Sequence, residues 1–102
     1  MPSFGAPFSG LANKRKLTNE ELVRAIRFLV SAEYEAAQMY VQLAESTDNK
    51  FAKAVLQDIA DEELVHAGEF LTLLHHLAPE EAKLYEKGAK EVDGILRKVQ
   101  KK

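Results

Sequence analysis

The chain has 102 residues, of which 46% are hydrophobic and 29% charged, and its formal net charge at pH 7 is -2. These values are typical of one globular domain, and the small charge argues against a nucleic-acid partner. The absence of cysteine excludes disulfide scaffolds, thiolate metal sites and cysteine nucleophiles. No apolar run approaches the roughly 18 residues of a membrane span, and no signal-peptide pattern opens the chain, so we expect a cytoplasmic protein with no membrane partner.

The N-terminal segment shows neither a helical nor a strand period. Residues 1–16 are rich in proline, glycine and serine, and they end in a basic run at 14–16. This composition is typical of a flexible arm. We therefore expect an arm over residues 1–16 and one helical domain over residues 17–100.

The first helix is predicted over residues 18–46. Thr18 and Glu21 have the spacing of a capping box, in which each side chain bonds the backbone N–H of the other residue. The following positions recur every three or four residues, as on one face of a helix. These inward positions are Leu22, Ile26, Leu29, Glu33, Ala36 or Ala37, Tyr40, and Leu43 or Ala44. The pattern ends in a Ser-Thr-Asp-Asn sequence at 46–49, which is typical of a turn.

A second helix, predicted over residues 49–77, has the same kind of stripe. Its inward positions are Ala52, Val55 or Leu56, Ile59, Glu63, His66, Phe70, Leu73 or Leu74, and Leu77. Each of the two helices is about 27 residues long, or about 40 Å at 1.5 Å per residue. Because short connections join antiparallel neighbours, we predict a two-helix hairpin.

A third helix is predicted over residues 79–99. Pro79 fits the first helical position, and Glu80 and Glu81 complement the helix dipole in the first turn. Apolar positions then follow at helical spacing, so we expect this helix to pack through them; they are Ala82, Tyr85, Ala89, Val92, Leu96 and Val99. The sequence contains no strand pattern, and the predicted fold class is therefore all-α.

Three titratable residues interrupt the apolar stripes of the hairpin: Glu33, Glu63 and His66. A buried carboxylate is costly unless it is paired or bound to a metal. Glu63 and His66 are three residues apart, so one ion can contact both from one helix. Glu33 lies at the matching height of the other helix. We predict that the three are metal ligands; the alternative is two stripe-edge glutamates that reach water and an ordinary core histidine.

The ligand types predict the metal, and their number predicts a dimer. Carboxylates with one imidazole and no thiolate suit iron or manganese, and zinc is also compatible. A ferritin-like di-iron site takes one glutamate from each of two helices and a Glu-x-x-His motif from each of two others. This chain supplies half of that set. We therefore predict that two hairpins form a ferritin-like four-helix bundle about a two-fold axis, with the site across the homodimer interface.

Two stretches of the hairpin resemble the encapsulated ferritins, the ferritin-like proteins of encapsulin nanocompartments: AEYEAAQMY at 32–40 and DIADEELVHAGEFL at 58–71. The later stretch LAPEEAKLYEKGAKEV at 77–92 is similar to the ferritin-like domains that some archaeal encapsulins carry fused to the shell protein. The resemblance covers residues 20–92. It implies a ferroxidase that oxidises two iron(II) ions with O₂ at the dimer interface and passes iron(III) to mineral inside an encapsulin shell.

The resemblance also implies roles for single residues. By position, Glu33, Glu63 and His66 match the metal ligands, Tyr40 matches a tyrosine beside the two irons, and Glu35 matches a glutamate that attracts incoming iron. The family assembles dimers into a ring, typically of ten subunits.

The chain departs from the family at two positions near this site. Ala32 replaces a second iron-attracting acid, and Met39 stands where a tryptophan is common. These departures concern the route of incoming iron and the ring rather than the metal ligands.

Other interpretations remain open from the residues alone. Tyr40 either orients a ligand carboxylate or is a core tyrosine with its hydroxyl at the rim, and Glu35 is equally explained as part of a solvated face. A redox-inert ion such as zinc that only holds a dimer together, a metal-free helical adaptor and a rubrerythrin-type peroxidase are the competing functions. The sequence does not distinguish O₂ from peroxide as the oxidant. The C-terminal DGILRKVQKK loosely resembles an encapsulin cargo-loading peptide, and it also completes the third helix.

Overall fold

The structure of the chain is a computed structural model that describes residue 12 and residues 14–101. It contains the helices α1 (Asn19–Glu45), α2 (Lys50–Leu77) and α3 (Pro79–Gln100). No strand occurs among the described residues, which confirms the all-α class, and each helix end lies within one residue of its predicted position. Most of the expected arm at 1–16 lies outside the described residues.

The predicted capping box opens α1. The Glu21 N–H donates to the Thr18 hydroxyl at 3.2 Å, and the Thr18 N–H donates to the Glu21 carboxylate at 2.9 Å. Arg15 donates to both oxygens of the same carboxylate, and these bonds are the largest cause that lowers the pKa of Glu21 to about 2. At the start of α2, the side chain of Asn49 accepts a hydrogen bond from the Ala52 N–H at 2.9 Å.

The helices α1 and α2 form the predicted antiparallel hairpin. The Asn19 side chain at the start of α1 donates to the carbonyl of Leu77 at the end of α2, at 3.3 Å. The buried contact between α1 and α2, which we call the seam, contains many alanines, and these let the two backbones approach closely. The buried residues of the seam are Val23, Ile26, Val30, Ala37 and Ala44 of α1 and Ala60, Ala67 and Leu74 of α2. Within the described residues, no helix combines the length and apolar character needed to cross a membrane.

The buried seam is narrower than the predicted stripes. Several predicted inward residues are 36% to 56% exposed, and they are Leu22, Leu29, Leu43, Val55 and Leu73. By helical spacing they share one side of the hairpin with Glu33, Glu63 and His66, and we call these eight residues the outer flank. One chain therefore leaves these predicted inward positions uncovered, because periodicity identifies an apolar face without showing what covers it.

The helix α3 leaves the hairpin after a connection of one residue, Ala78. It has no buried residue, and its large side chains are 47% to 66% exposed; these are Leu84, Tyr85, Val92, Ile95, Leu96 and Val99. The expectation that its apolar stripe packs is therefore wrong for a single chain. The molecule is correspondingly flat, with extents of 58 × 46 × 18 Å.

Candidate metal centre

The three predicted metal ligands meet on the outer flank. Glu33 of α1 and Glu63 and His66 of α2 each offer one ligand atom, and these atoms all lie within 4.8 Å of one another. His66 Nδ1 is 3.6 Å from Glu33 Oε2 and 3.8 Å from Glu63 Oε2. Both separations exceed a hydrogen bond, so the atoms border a common space without bonding across it. No other such group of histidine and acidic side chains occurs in the described part of the chain.

The position of this cluster follows from the hairpin. Glu33 is near the middle of α1 and Glu63 is near the middle of α2, and antiparallel packing brings two midpoints to the same height. Small residues flank them in the seam, namely Ala37 on α1 and Ala60 and Ala67 on α2. Because the helices approach closely at alanines, carboxylates from opposite helices can reach each other.

The two carboxylates are largely withdrawn from water. The Glu33 and Glu63 side chains are 18% and 19% exposed, whereas that of His66 is 46% exposed. Glu33 Oε2 is buried and has no hydrogen-bond partner among the described residues. A buried polar atom without a partner is uncommon in proteins and needs a physical explanation.

The electrostatics of Glu33 agree with this geometry. Its pKa is raised, first by the close polar contact with the Glu63 carboxylate and then by burial and by the negative charge of Glu63; His66 acts in the opposite direction. The carboxylates of Glu33 and Glu63 therefore favour a positive charge between their oxygens. A metal cation bound between the two carboxylates would satisfy this demand.

The surroundings of the cluster form half of a pocket. A cavity of about 290 Å³ is lined by Glu33, His66, Glu69 and Phe70, and it is open to solvent. The apolar stripes in the sequence do not identify Glu69 as a site residue. Its spacing of three residues from His66, which puts both on one face of α2, is the sequence signal that could have identified it. One hairpin thus holds the ligands but does not enclose them.

The other two predicted site residues lie outside the cluster. Tyr40 is half-buried and lines a separate cavity of about 380 Å³ with Met39 and Leu43. Within the described residues, its hydroxyl makes no hydrogen bond to the three ligand candidates. Glu35 is exposed and is not part of the cluster.

Comparison with protein families and curated proteins gives three matches. A family model described as rubrerythrin matches residues 20–97. The chain is 45% identical over 76 residues to the "Encapsulin nanocompartment cargo protein EncC" of Myxococcus xanthus, covering 74% of this chain and 58% of that protein. It is 37% identical over 83 residues to a "Ferritin-like-encapsulin shell fusion protein" of Pyrococcus furiosus, covering 80% of this chain and 24% of that one. The chain therefore spans less than two thirds of either relative.

The structural comparison covers almost a whole solved domain. The crystal structure of the encapsulated ferritin domain from Pyrococcus furiosus matches with a TM-score of 0.80 and 32% sequence identity. The match includes 90% of this chain and 92% of that domain, so the likeness extends well beyond one pair of helices.

Proposed function

The chain belongs to the encapsulated ferritins, within the rubrerythrin family, and from that premise we propose that it is a ferroxidase whose di-iron site is completed by a second copy. Membership supports a ferritin-like, iron-related function. The observation that carries the finer proposal is the cluster of Glu33, Glu63 and His66, which supplies half of a ferritin-like ligand set.

The donor set fits iron(II) as the substrate. Carboxylate oxygens with one imidazole and no thiolate suit iron or manganese, and zinc is a compatible substitute. The unpartnered Glu33 Oε2 supports a cation at this point. In a dimer, four glutamates would balance two divalent ions in charge, so metal binding and dimerisation should strengthen each other.

The outer flank supports the proposed homodimer. Its four exposed leucines and one exposed valine lie on the same side of the hairpin as the cluster, and burying them against a second copy would stabilise the pair by about 25 cal/mol per Å² of apolar surface. A two-fold axis places the same surface on both sides. It would also bring the second copies of Glu33, Glu63 and His66 to the first set and exclude water from the site.

Each residue then has a defined role in the reaction. Glu33 and Glu63 hold the two iron(II) ions through their oxygens, and His66 adds one nitrogen ligand per chain. Each iron(II) would lose one electron to the oxidant, for which we propose O₂; the two electrons and two protons from the solvent would reduce one O₂ to hydrogen peroxide. Tyr40 is proposed to orient a ligand carboxylate, and Glu35 to attract incoming iron from the solvent.

We also propose that the protein works inside an encapsulin compartment, in a ring of dimers. The names of both curated relatives refer to encapsulins, which supports this association. The tail that resembles a loading peptide is part of α3, which continues to Gln100. Its role in loading is therefore a separate proposal. Deletion of residues 93–102, followed by co-purification with a shell protein, would test it.

Iron oxidation in ligand variants tests the proposal directly. Glu33→Ala, Glu63→Ala and His66→Ala should each lose iron(II)-dependent oxygen consumption while the far-ultraviolet circular dichroism stays helical. The matched control is Glu62→Ala, because Glu62 is the exposed neighbour of Glu63 and lies outside the cluster. Wild-type rates in all three ligand variants would refute the proposal.

The rubrerythrin family match supports a second candidate, a di-iron peroxidase. To distinguish the peroxidase from the ferroxidase, wild-type protein is loaded anaerobically with iron(II) and mixed either with O₂ or with hydrogen peroxide, and the two rates of iron oxidation are compared. Faster oxidation by peroxide would favour the peroxidase. Metal binding without oxidation by either would instead indicate a structural metal that only holds the dimer together.

A further inference from the structure

The attachment of α3 to the hairpin is unusual because apolar packing contributes little to it. The connection is the single residue Ala78, whose backbone angles of φ -134° and ψ 71° are not helical. The helix buries none of its own residues. A 22-residue helix joined in this way needs another restraint if it is to keep one direction.

That restraint is found at one carboxylate in the first turn of α3. Arg27 of α1 donates from Nε to Glu81 Oε1 at 3.0 Å and makes a second bond to the same oxygen from its terminal nitrogen. The Tyr85 hydroxyl donates to the other oxygen, Oε2. Both oxygens of Glu81 therefore have partners, and its side chain is only 12% exposed. We call Arg27, Glu81 and Tyr85 the α3 network.

The charge distribution keeps this network intact at neutral pH. The pKa of Glu81 is lowered, first by the bonds from Arg27 and then by the bond from Tyr85. The helix α2 also takes part, because the rings of His75 and Tyr85 lie 5.4 Å apart with an angle of 57° between their planes. All three helices thus meet at this point.

Neighbouring charges show how selective the contact is. Arg24, one turn before Arg27, pairs with Glu20 of its own helix at 3.8 Å. Glu80, next to Glu81, pairs with Lys83 of its own helix at 3.3 Å. Each helix therefore carries one charged residue that crosses to the other and one similar residue that does not.

We propose that Glu81 fixes the direction in which α3 projects, and that α3 pivots about Ala78 when its bond to Arg27 is lost. The hairpin does not depend on this bond, because its seam is formed by other residues. Arg27 and Glu33 are six residues apart on α1, which is about 120° around a helix with 3.6 residues per turn. The pivot therefore leaves the outer flank unchanged, and the inference is independent of the proposed iron chemistry.

Distances between spin labels test this inference. Because the chain has no cysteine, a pair introduced at the exposed positions Ser31 of α1 and Glu91 of α3 labels only those two sites. Labelled chains are co-assembled with an excess of unlabelled chains, so that the distance measured by pulsed electron paramagnetic resonance lies within one subunit. The hairpin itself is monitored by its circular dichroism.

The expected result separates two matched pairs of variants. Arg27→Gln and Glu81→Gln should widen the distance distribution about twofold or more as a second orientation becomes populated. Arg24→Gln and Glu80→Gln should leave it unchanged. A narrow distribution in all four variants, or equal widening in the controls, would overturn the inference.

Two further variants keep the test decisive if removal of the charge unfolds the chain. Tyr85→Phe removes only one hydroxyl from the α3 network and should produce a smaller widening. The exchanged pair Arg27→Glu with Glu81→Arg should restore a narrow distribution. If the exchanged pair folds and stays as broad as the single variants, Glu81 does not fix the direction of α3.

Discussion

Two carboxylates at similar depth in this molecule have opposite electrostatic environments. Glu33 on the outer flank is 18% exposed, and Glu81 in the α3 network is 12% exposed. The pKa of Glu33 is raised by its contact with the Glu63 carboxylate and by burial, whereas the pKa of Glu81 is lowered because Arg27 and Tyr85 donate to it. At similar burial, the partners of a carboxylate therefore decide whether its pKa is raised or lowered.

The strongest test of this contrast is the response to a metal. In wild-type protein, divalent metal at about 100 times its dissociation constant should stabilise the fold by about 2.7 kcal/mol. Glu33→Gln should lose most of that stabilisation, because an amide is a weak ligand. Differential scanning calorimetry with and without manganese(II) measures this; an equal rise in melting temperature in both proteins would contradict the assignment of Glu33.

The same variant should behave differently without metal. Glu33→Gln replaces a carboxyl group whose charged form is disfavoured by Glu63 and by burial, so metal-free protein should be at least as stable as wild type. Glu81→Gln, by contrast, should destabilise the metal-free protein by about 1 to 2 kcal/mol, because it leaves Arg27 with a weaker acceptor. Urea unfolding of both variants, with Glu80→Gln as the control, measures the difference. Effects of the same sign would remove the contrast between the two sites.

The pH dependence of Glu81 follows from the direction of its shift. Because the bonds from Arg27 and Tyr85 hold the pKa of Glu81 in the folded protein below its ordinary value, its contribution to stability is fully present above the ordinary pKa of a glutamate, about 4.3. The contribution is lost as the pH falls through the folded pKa. The stability difference between wild type and Glu81→Gln should therefore be constant from about pH 6 to 8 and shrink below about pH 4. A constant difference down to pH 3 would contradict it.

Tyr85→Phe should have the smallest effect. It removes one of the bonds to Glu81 but keeps the ring beside His75. We expect a loss of about 0.5 to 1 kcal/mol, smaller than the loss in Glu81→Gln and measured by the same urea unfolding. A larger loss than in Glu81→Gln would place the main restraint on α3 in the tyrosine rather than in the carboxylate.

Local signals in the sequence account for much of the fold and for the centre of the site. The capping box of Thr18 and Glu21 and the three-to-four residue period predict the helices, because both act within one or two turns. Glu33, Glu63 and His66 could be predicted since each is a polar residue at an apolar position.

The remaining features depend on contacts between distant segments. Arg27 and Glu81 are 54 residues apart, and in the sequence Arg27 is indistinguishable from Arg24 on the same polar side of α1. Periodicity likewise could not show which apolar face a single chain covers, because a face that awaits another chain has the same pattern. The exposed α3 and the narrow seam were missed for this reason.

The thinness of the molecule has a consequence for how it is made. Its shortest extent is 18 Å, less than half of the other two extents of 58 and 46 Å, so the subunit is a thin layer of helices. Such a layer of helices has two broad surfaces and a small buried core, so apolar burial within one chain contributes little to its stability. We expect a newly synthesised chain to gain most of its resistance to unfolding only after meeting a neighbour, so that dilution should weaken it as effectively as heat.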